Sequence, residues 1–443
     1  MKNEVHGMNN YYSDIIDKVY SSDHKMVAIR HYNDWQIGTE ELAIMKKEKP
    51  DVVLLYKNFA ENRIAEPFDP FLEWIKELCV KNSVSIEELL DECDVYSLHK
   101  EILSSYLKTG LAKRKDKPLI NEIEFERELF EDEIIRLFVY LAHKTEVCAI
   151  LDNASIAGIS TLIILQKLFE LSDDSIAIIC SYNENDTDID GTKEIWNSIV
   201  ESWEDNDLLL DVLGEDVMEY HQNRGFRCFS DLLRKDLNVI NNLFHFMCFS
   251  QAEHYLSTYY HKFEVEKLIV EPNVKFEFTE LYANVSMYMQ KNAEALLCLN
   301  DMQKLLEVLI EDSWKLRYHK MAAKIYMHNF QQDRAAEHIK ECKKILEGKD
   351  DEEAKFEIEL LEHMVFFQGW RDIWLLNRTL EGLEPLISKC IKYGYDNHLA
   401  HIYVYAYDNE RERYANLAGM GMKMPHFMKG IKIAQKIGNY HFM

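Results

Sequence analysis

The sequence predicts an α/β domain built on a parallel sheet, followed by an all-α connector and an array of helical hairpins. Three observations predict it. Four short apolar runs alternate with helical spacing up to about residue 185, strand signals fade beyond Gly191, and only seven prolines and fifteen glycines interrupt 443 residues. Strands alternating with helices imply crossover connections and a sheet covered on both faces, while sparse turn residues favour long helices. The expected domains are 1–188, 189–272 and 273–443.

In chain order, the strand candidates are Met26 to Arg30, Asp51 to Tyr56, Val147 to Asp152 and Ser175 to Ser181. Pro70 to Leu78 and Thr161 to Leu171 have helical spacing between them. Glu194 to His261, rich in aromatics and acids, reads as the helical connector. The run Val265, Leu268, Ile269 and Val270 is too short for periodicity to separate strand from helix, so its type stays open. Beyond Pro272 come three candidate hairpins. Ala323, Tyr326, Phe330, Ala335, Ala336 and Ile339 form the first; small residues admit close helix approach and aromatics fill the gaps. Ile358, Leu361, Met364, Val365 and Phe367 precede a turn at Gly369, with Ile373 and Leu376 beyond. Leu399, Ile402, Tyr403 and Ala406 pair with Phe427, Gly430, Ile431, Ala434 and Ile437. The alternative is a nonrepetitive helical domain. No polar helix caps the array after Gly438-Asn439-Tyr440, which leaves two expectations: end-to-end self-association, or a fragment of a longer protein.

Composition excludes several functions. A formal charge of −26 argues against a general nucleic-acid surface, which needs clustered Lys and Arg. The one dense basic stretch, Lys113-Arg114-Lys115-Asp116-Lys117, reads as a solvated loop before Pro118. Nine scattered cysteines without a C-x-x-C pair fit reduced thiols in a cytoplasmic protein rather than a disulfide frame or zinc site. There is no apolar run of about 18 residues, and Met1-Lys2-Asn3-Glu4 does not open a secretory signal, so no membrane is expected. His245, His254 and His261 recur along a predicted helical face but lack a tight ligand set, and packing or surface roles are expected. Acidic pairs such as Glu87-Glu88 mean little without convergent geometry, and Glu131-Asp132-Glu133 reads as a charge run on an exposed helix face. No G-x-S-x-G elbow and no H-E-x-x-H motif occurs.

One stretch carries chemistry. The first strand runs into Asn33-Asp34-Trp35-Gln36-Ile37-Gly38-Thr39-Glu40 and then a helix, the position of a phosphate-binding loop. A working loop, G-x-x-x-x-G-K-[ST], uses glycines to admit phosphate among backbone N–H groups, lysine for the outer phosphates and a hydroxyl for magnesium. Here only Gly38 remains; Asn33, Thr39 and Glu40 replace the first glycine, the lysine and the hydroxyl. On a parallel sheet this loop, Asp152-Asn153 and Ser181-Tyr182-Asn183 should gather at the carboxyl edge. Lys25 or Arg30 could replace the lysine only from the strand itself. Tyr32 and Trp35 either stack on an adenine or plug the vacated pocket, the latter being favoured. Arg224 and Arg227 are read as a surface turn rather than phosphate contacts.

These motifs resemble the signal-transduction ATPases with numerous domains (STAND), in the subgroup whose AAA-type nucleotide domain precedes tetratricopeptide helices. Asn33 to Glu40 matches that group's G-x-x-G-I-G-K-T, and Leu151 to Leu162 fits the frame L-D-D-L-h-W-a-D-x-x-S-L. Phe59 to Trp74, with Glu66-Pro67-Phe68 and Phe71-Leu72-Glu73-Trp74, resembles the stretch after the second strand. The resemblance implies a P-loop NTPase-like domain with tetratricopeptide-like repeats. It places Asp152 at the magnesium-directing acid, Asn153 at the acid that polarises water, Gly158 at a further aspartate, and Asn183 at the sensor of the terminal phosphate. Gly38, Thr39, Asp152 and Asn183 are therefore a vestigial nucleotide site, with an ordinary polar strand end as the plainer account of Asp152. The expected function is non-catalytic regulation or scaffolding, with no cofactor and with a protein or peptide held by the helical array. The alternatives are a switch binding ATP or ADP with magnesium, and a transcription regulator whose DNA-reading module lies elsewhere.

Overall fold

The computed structural model describes residues 15–31, 37–61, 64–114, 123–183, 192–212, 229–266, 270–368, 380–403 and 425–438. The chain divides into two compact units. One comprises Met1–Val95, Ile102–Ala112 and Arg127–Arg227; the other comprises Tyr96–Glu101, Lys113–Glu126 and Cys228–Met443.

The first unit holds a five-stranded sheet of β1 (Met26–His31), β2 (Val53–Asn58), β3 (Val147–Asp152), β4 (Ile176–Asn183) and β5 (Leu209–Val212), in the order β2-β3-β4-β1-β5. Every pairing is parallel. β3 and β4 are buried at every position, which explains why both read as continuous apolar runs. The path from β1 to β2 runs one way across the sheet and all later steps run the other way, so right-handed crossovers send the helix Thr39–Glu48 to its own face. On that face Met45 and the helical residues Ile15, Ile16 and Val19 pack on Val27, Ile29, Cys148, Ile150, Ala177 and Ile179. On the other face, Trp203 donates its indole N–H to the Met26 sulfur at 3.1 Å, and Trp196 meets Tyr182 edge-on with centroids 5.2 Å apart. Both tryptophans belong to the helix Lys193–Asp205.

Within the stretch expected to be an all-α connector, Lys193–Asp205 is helical but Leu209–Val212 is a strand of the sheet. β5 pairs with β1, Ala28 opposite Leu209 and His31 opposite Val212. A four-residue strand between acidic residues has no periodicity to read; only the open edge of β1 selects it.

Two charge runs also differ from expectation. Glu131 and Glu133, on the helix Ile123–Ala142, are buried, while Asp132 is exposed. Glu131 pairs with Lys167 at 3.0 Å and Arg127 at 3.4 Å. Consecutive residues are about 100° apart around a helix, so such a run necessarily straddles faces. In the second unit, Arg114 is buried against the Glu126 carboxylate, with His99 Nε2 at 3.6 Å from the same group. Its basic stretch is therefore not wholly solvated; residues 115–122 lie outside the described residues.

The second unit is helical among its described residues. First helices of successive hairpins begin at Pro272, Asp312 and Glu352, and second helices at Asn292 and Gln332, so the spacing is forty residues. The turns repeat too. Gln290 and Phe330 are both left-handed, with φ of 58° and 55°, and the next amides close onto Ser286 and Tyr326 at 2.8 Å. Phe330, expected to fill the space between helices, is the turn residue and is 77% exposed.

Ala323, Ala335, Ile339, Ile358, Leu361 and Val365 share one core, which joins the first two candidate hairpins. Leu399 and Ile402 pack with Phe356, Leu360 and Cys390. Ala434 and Ile437, on the helix Pro425–Ile437, are buried. Gly369, Ile373, Leu376 and Ala406 lie outside the described residues. Ala323 is wholly buried, so Ala323→Leu should cost about 1–2 kcal/mol by overpacking, measured as a lower urea midpoint with unchanged slope.

Candidate functional site

The carboxyl edge of the sheet brings together the ends of four strands. His31 lies opposite Asn183, and Asn58 lies opposite Asp152. β1 and β4 are neighbours whose following helices leave towards opposite faces, the arrangement that opens a crevice at a strand edge.

Asp152 is the centre of this edge, and its carboxylate is fully buried. Oδ1 accepts from the Ser181 hydroxyl. Oδ2 accepts from the Tyr56 hydroxyl at 3.1 Å and from the Ile37 backbone N–H at 3.2 Å. Tyr56 is placed by β2 on the face covered by the helix Thr39–Glu48, and its hydroxyl also lies 3.0 Å from the Ile37 carbonyl. Burial pushes the Asp152 carboxyl up to about 6, against the opposing pull of hydrogen bonds from Ser181, Tyr56 and the amides of Ile37 and Asn153. Among the described residues no Lys or Arg forms an ion pair with it.

Asn153 follows in the left-handed conformation, φ 56°, which asparagine tolerates better than most residues. Its backbone N–H donates to Ser181 Oγ at 3.1 Å and its side-chain amide to Asn58 Oδ1 at 3.1 Å. Asn58 Oδ1 also accepts from the Ala60 amide at 2.9 Å. The Asn153 carboxamide is thus tied to the end of β2.

Gly38 precedes the helix Thr39–Glu48 with φ −90° and ψ 179°, an extended conformation open to any residue. Its carbonyl accepts from the Leu42 amide at 3.2 Å, so it starts the helix. Thr39 is the first helical residue. Asn183 is buried at the end of β4. The structure therefore places Gly38, Asp152, Asn153, Ser181 and Asn183 at one edge. Residues 32–36, including Tyr32, Asn33 and Trp35, lie outside the described residues, as do Arg224 and Arg227.

Neither cation considered for the missing lysine approaches Asp152. Lys25 precedes β1, at the opposite edge, and donates to the Tyr20 carbonyl at 2.9 Å. Arg30 sits on the other face of β1, 3.6 Å from Glu204. The three histidines fall on two helices, His245 ending Phe229–His245 and the others lying within Phe249–Glu266. Among the described residues no group of three His, Cys, Asp or Glu is placed to hold a metal ion. The described cysteines are buried and form no disulfide with one another, and burial raises the thiols of Cys79 and Cys342 to about 11 and of Cys148 to about 12. No described helix is long and apolar enough to cross a membrane.

Sequence reading does not single out Tyr56, Asn58 or His31. Their common signal is position: each is the last or near-last residue of a strand facing the crevice edge. No protein-family model, no curated protein and no solved structure matches this chain.

Proposed function

We propose that this chain is a non-catalytic regulatory or scaffolding protein, with a pseudo-ATPase first unit and a helical array that binds a protein or peptide. The observation that carries the reading is the Asp152 carboxylate. Both its oxygens already accept hydrogen bonds from the chain's own hydroxyl and amide groups, and burial favours its neutral form. A magnesium-directing acid instead keeps an oxygen open to the ion's water shell. Asn153 cannot take a proton from water, and its amide serves the link to β2. The resemblance to STAND ATPases belongs to this reading, supported by the gathering of Gly38, Asp152 and Asn183 at one sheet edge.

The array supports the binding half. Hairpins stacked at a regular spacing present an extended surface. Their forty-residue period is longer than the tetratricopeptide unit of about 34 residues. The tetratricopeptide likeness therefore rests on the antiparallel pairs and on small Ala323 and Ala335 at their contact.

The test is the melting temperature with magnesium and millimolar ATP. A ligand at a hundred times its dissociation constant stabilises by about 2.7 kcal/mol. No rise is expected here; a rise of several degrees would replace this reading with a nucleotide switch.

A further inference from the structure

The first helices of three successive helical layers, Phe229–His245, Pro272–Tyr288 and Asp312–His328, enclose a groove of about 340 Å³. Its volume is at the small end of ligand sites, enough for two or three residues of an extended chain. Leu237, Leu281 and Met321 give it a buried apolar floor.

The walls are polar and follow an order. Asn238 and Asn241, one turn apart, come from the first helix. Glu277, Glu280 and Asn284 come from the second, and Arg317, Lys320 and Lys324 from the third. Part of this lining is committed to holding the layers together: Arg317 Nε lies 3.1 Å from Glu280, and Lys320 pairs with Glu357 of the next layer. Other parts are not. Asn238 and Asn241 make no side-chain hydrogen bond to the described chain, and Glu277 is exposed with Arg317 only at 4.0 Å. Asn284 donates to the Glu280 carbonyl, which leaves its own oxygen as an acceptor.

We propose that this groove seats an extended internal segment of a protein partner. Carboxamides offer a donor and an acceptor side by side, the complement of a peptide group, and Asn238, Asn241 and Asn284 supply three of them along one groove. A basic side chain of the segment lies against Glu277, the exposed wall carboxylate whose nearest cation stands 4.0 Å away, so the partner segment is basic at that position. The proposal rests on reading the array as a binding surface and names what that surface takes.

The probe is a random hexapeptide library, acetylated and amidated, applied to the full chain and read by competition binding and by thermal midpoint. Selected peptides should carry a basic residue at a fixed position, and should raise the midpoint by about 2 °C or more. Asn238→Ala with Asn241→Ala, both on a solvent-facing wall, should weaken them at least tenfold, and Glu277→Lys should reverse the preference at the basic position. Circular dichroism checks that both variants keep the parent's helix content. No selected peptide, or affinity indifferent to these variants, would overturn the proposal. If the full chain then still holds a protein partner through another face of the array, the scaffold reading stands without this groove.

Discussion

Glu126→Ala should destabilise the second unit by about 3–5 kcal/mol at pH 7, because it takes the buried counter-charge away from an interior guanidinium. The Arg114 side chain is 1% exposed and that of Glu126 8%, and the His99 ring beside them is 1% exposed. Burial pushes the Glu126 carboxyl up, but the Arg114 guanidinium and His99 outweigh it and hold the group below its ordinary value. The sign follows from that direction. A carboxyl lowered in the folded state contributes stability that is present above its unfolded value of 4.5 and is lost as pH falls through the lowered folded value.

Urea titration at pH 7 measures the loss, and the same titration near pH 3 should find the variant and parent closer together. Removing both partners, with Arg114→Met and Glu126→Leu, should recover most of the loss, since no charge is then left unpaired. A single-variant cost below about 1 kcal/mol would mean that the pair behaves as an exposed one.

Asp152→Asn should do the reverse and stabilise the first unit by about 2 kcal/mol at pH 7.5. The Asp152 carboxyl stands near 6 in the fold against an ordinary 3.8. Between those values the folded chain holds a proton that the unfolded chain has released, so stability falls as pH rises through that window. The gap corresponds to about 3 kcal/mol, and the hydrogen bonds from Ser181, Tyr56 and Ile37 that an amide cannot all accept offset about 1 kcal/mol of the gain. Thermal midpoints from pH 3.5 to 8 check it: the parent should decline between about pH 4 and 6 and the variant should stay flat through that range. A variant less stable than its parent at pH 7.5 would show that Asp152 is charged and useful in the fold.

Much of the first unit is legible in the chain. The apolar runs of β3 and β4 identify themselves because strands buried at every position are dominated by apolar residues, and β1 and β2 show shorter runs of the same kind. β5 does not, since Leu209–Val212 is short and its pairing depends on an edge of β1 that sequence neighbours cannot reveal. The loop at Gly38 and the acid at Asp152 can be read from spacing to a strand and a helix. Tyr56 cannot, because its hydroxyl reaches Asp152 only after β2 and β3 align in register. The hairpins announce themselves through small and aromatic residues, yet their forty-residue period emerges from matching turns at Gln290 and Phe330, which share no residue type.

The sequence by itself determined where β1 to β4 and most helices form, that Asn33 to Glu40 departs from the G-x-x-x-x-G-K-[ST] pattern, and that the chain is strongly acidic. These are local properties: periodicity, side-chain chemistry and charge act within a few residues. Only tertiary structure decided that Asp152 is closed off by Ser181, Tyr56 and Ile37, that Glu131, Glu133 and Arg114 are buried, and that Phe330 points to solvent. Burial and hydrogen-bond partners depend on residues distant in sequence, so the ionisation and availability of a side chain are settled by packing, whatever its type suggests.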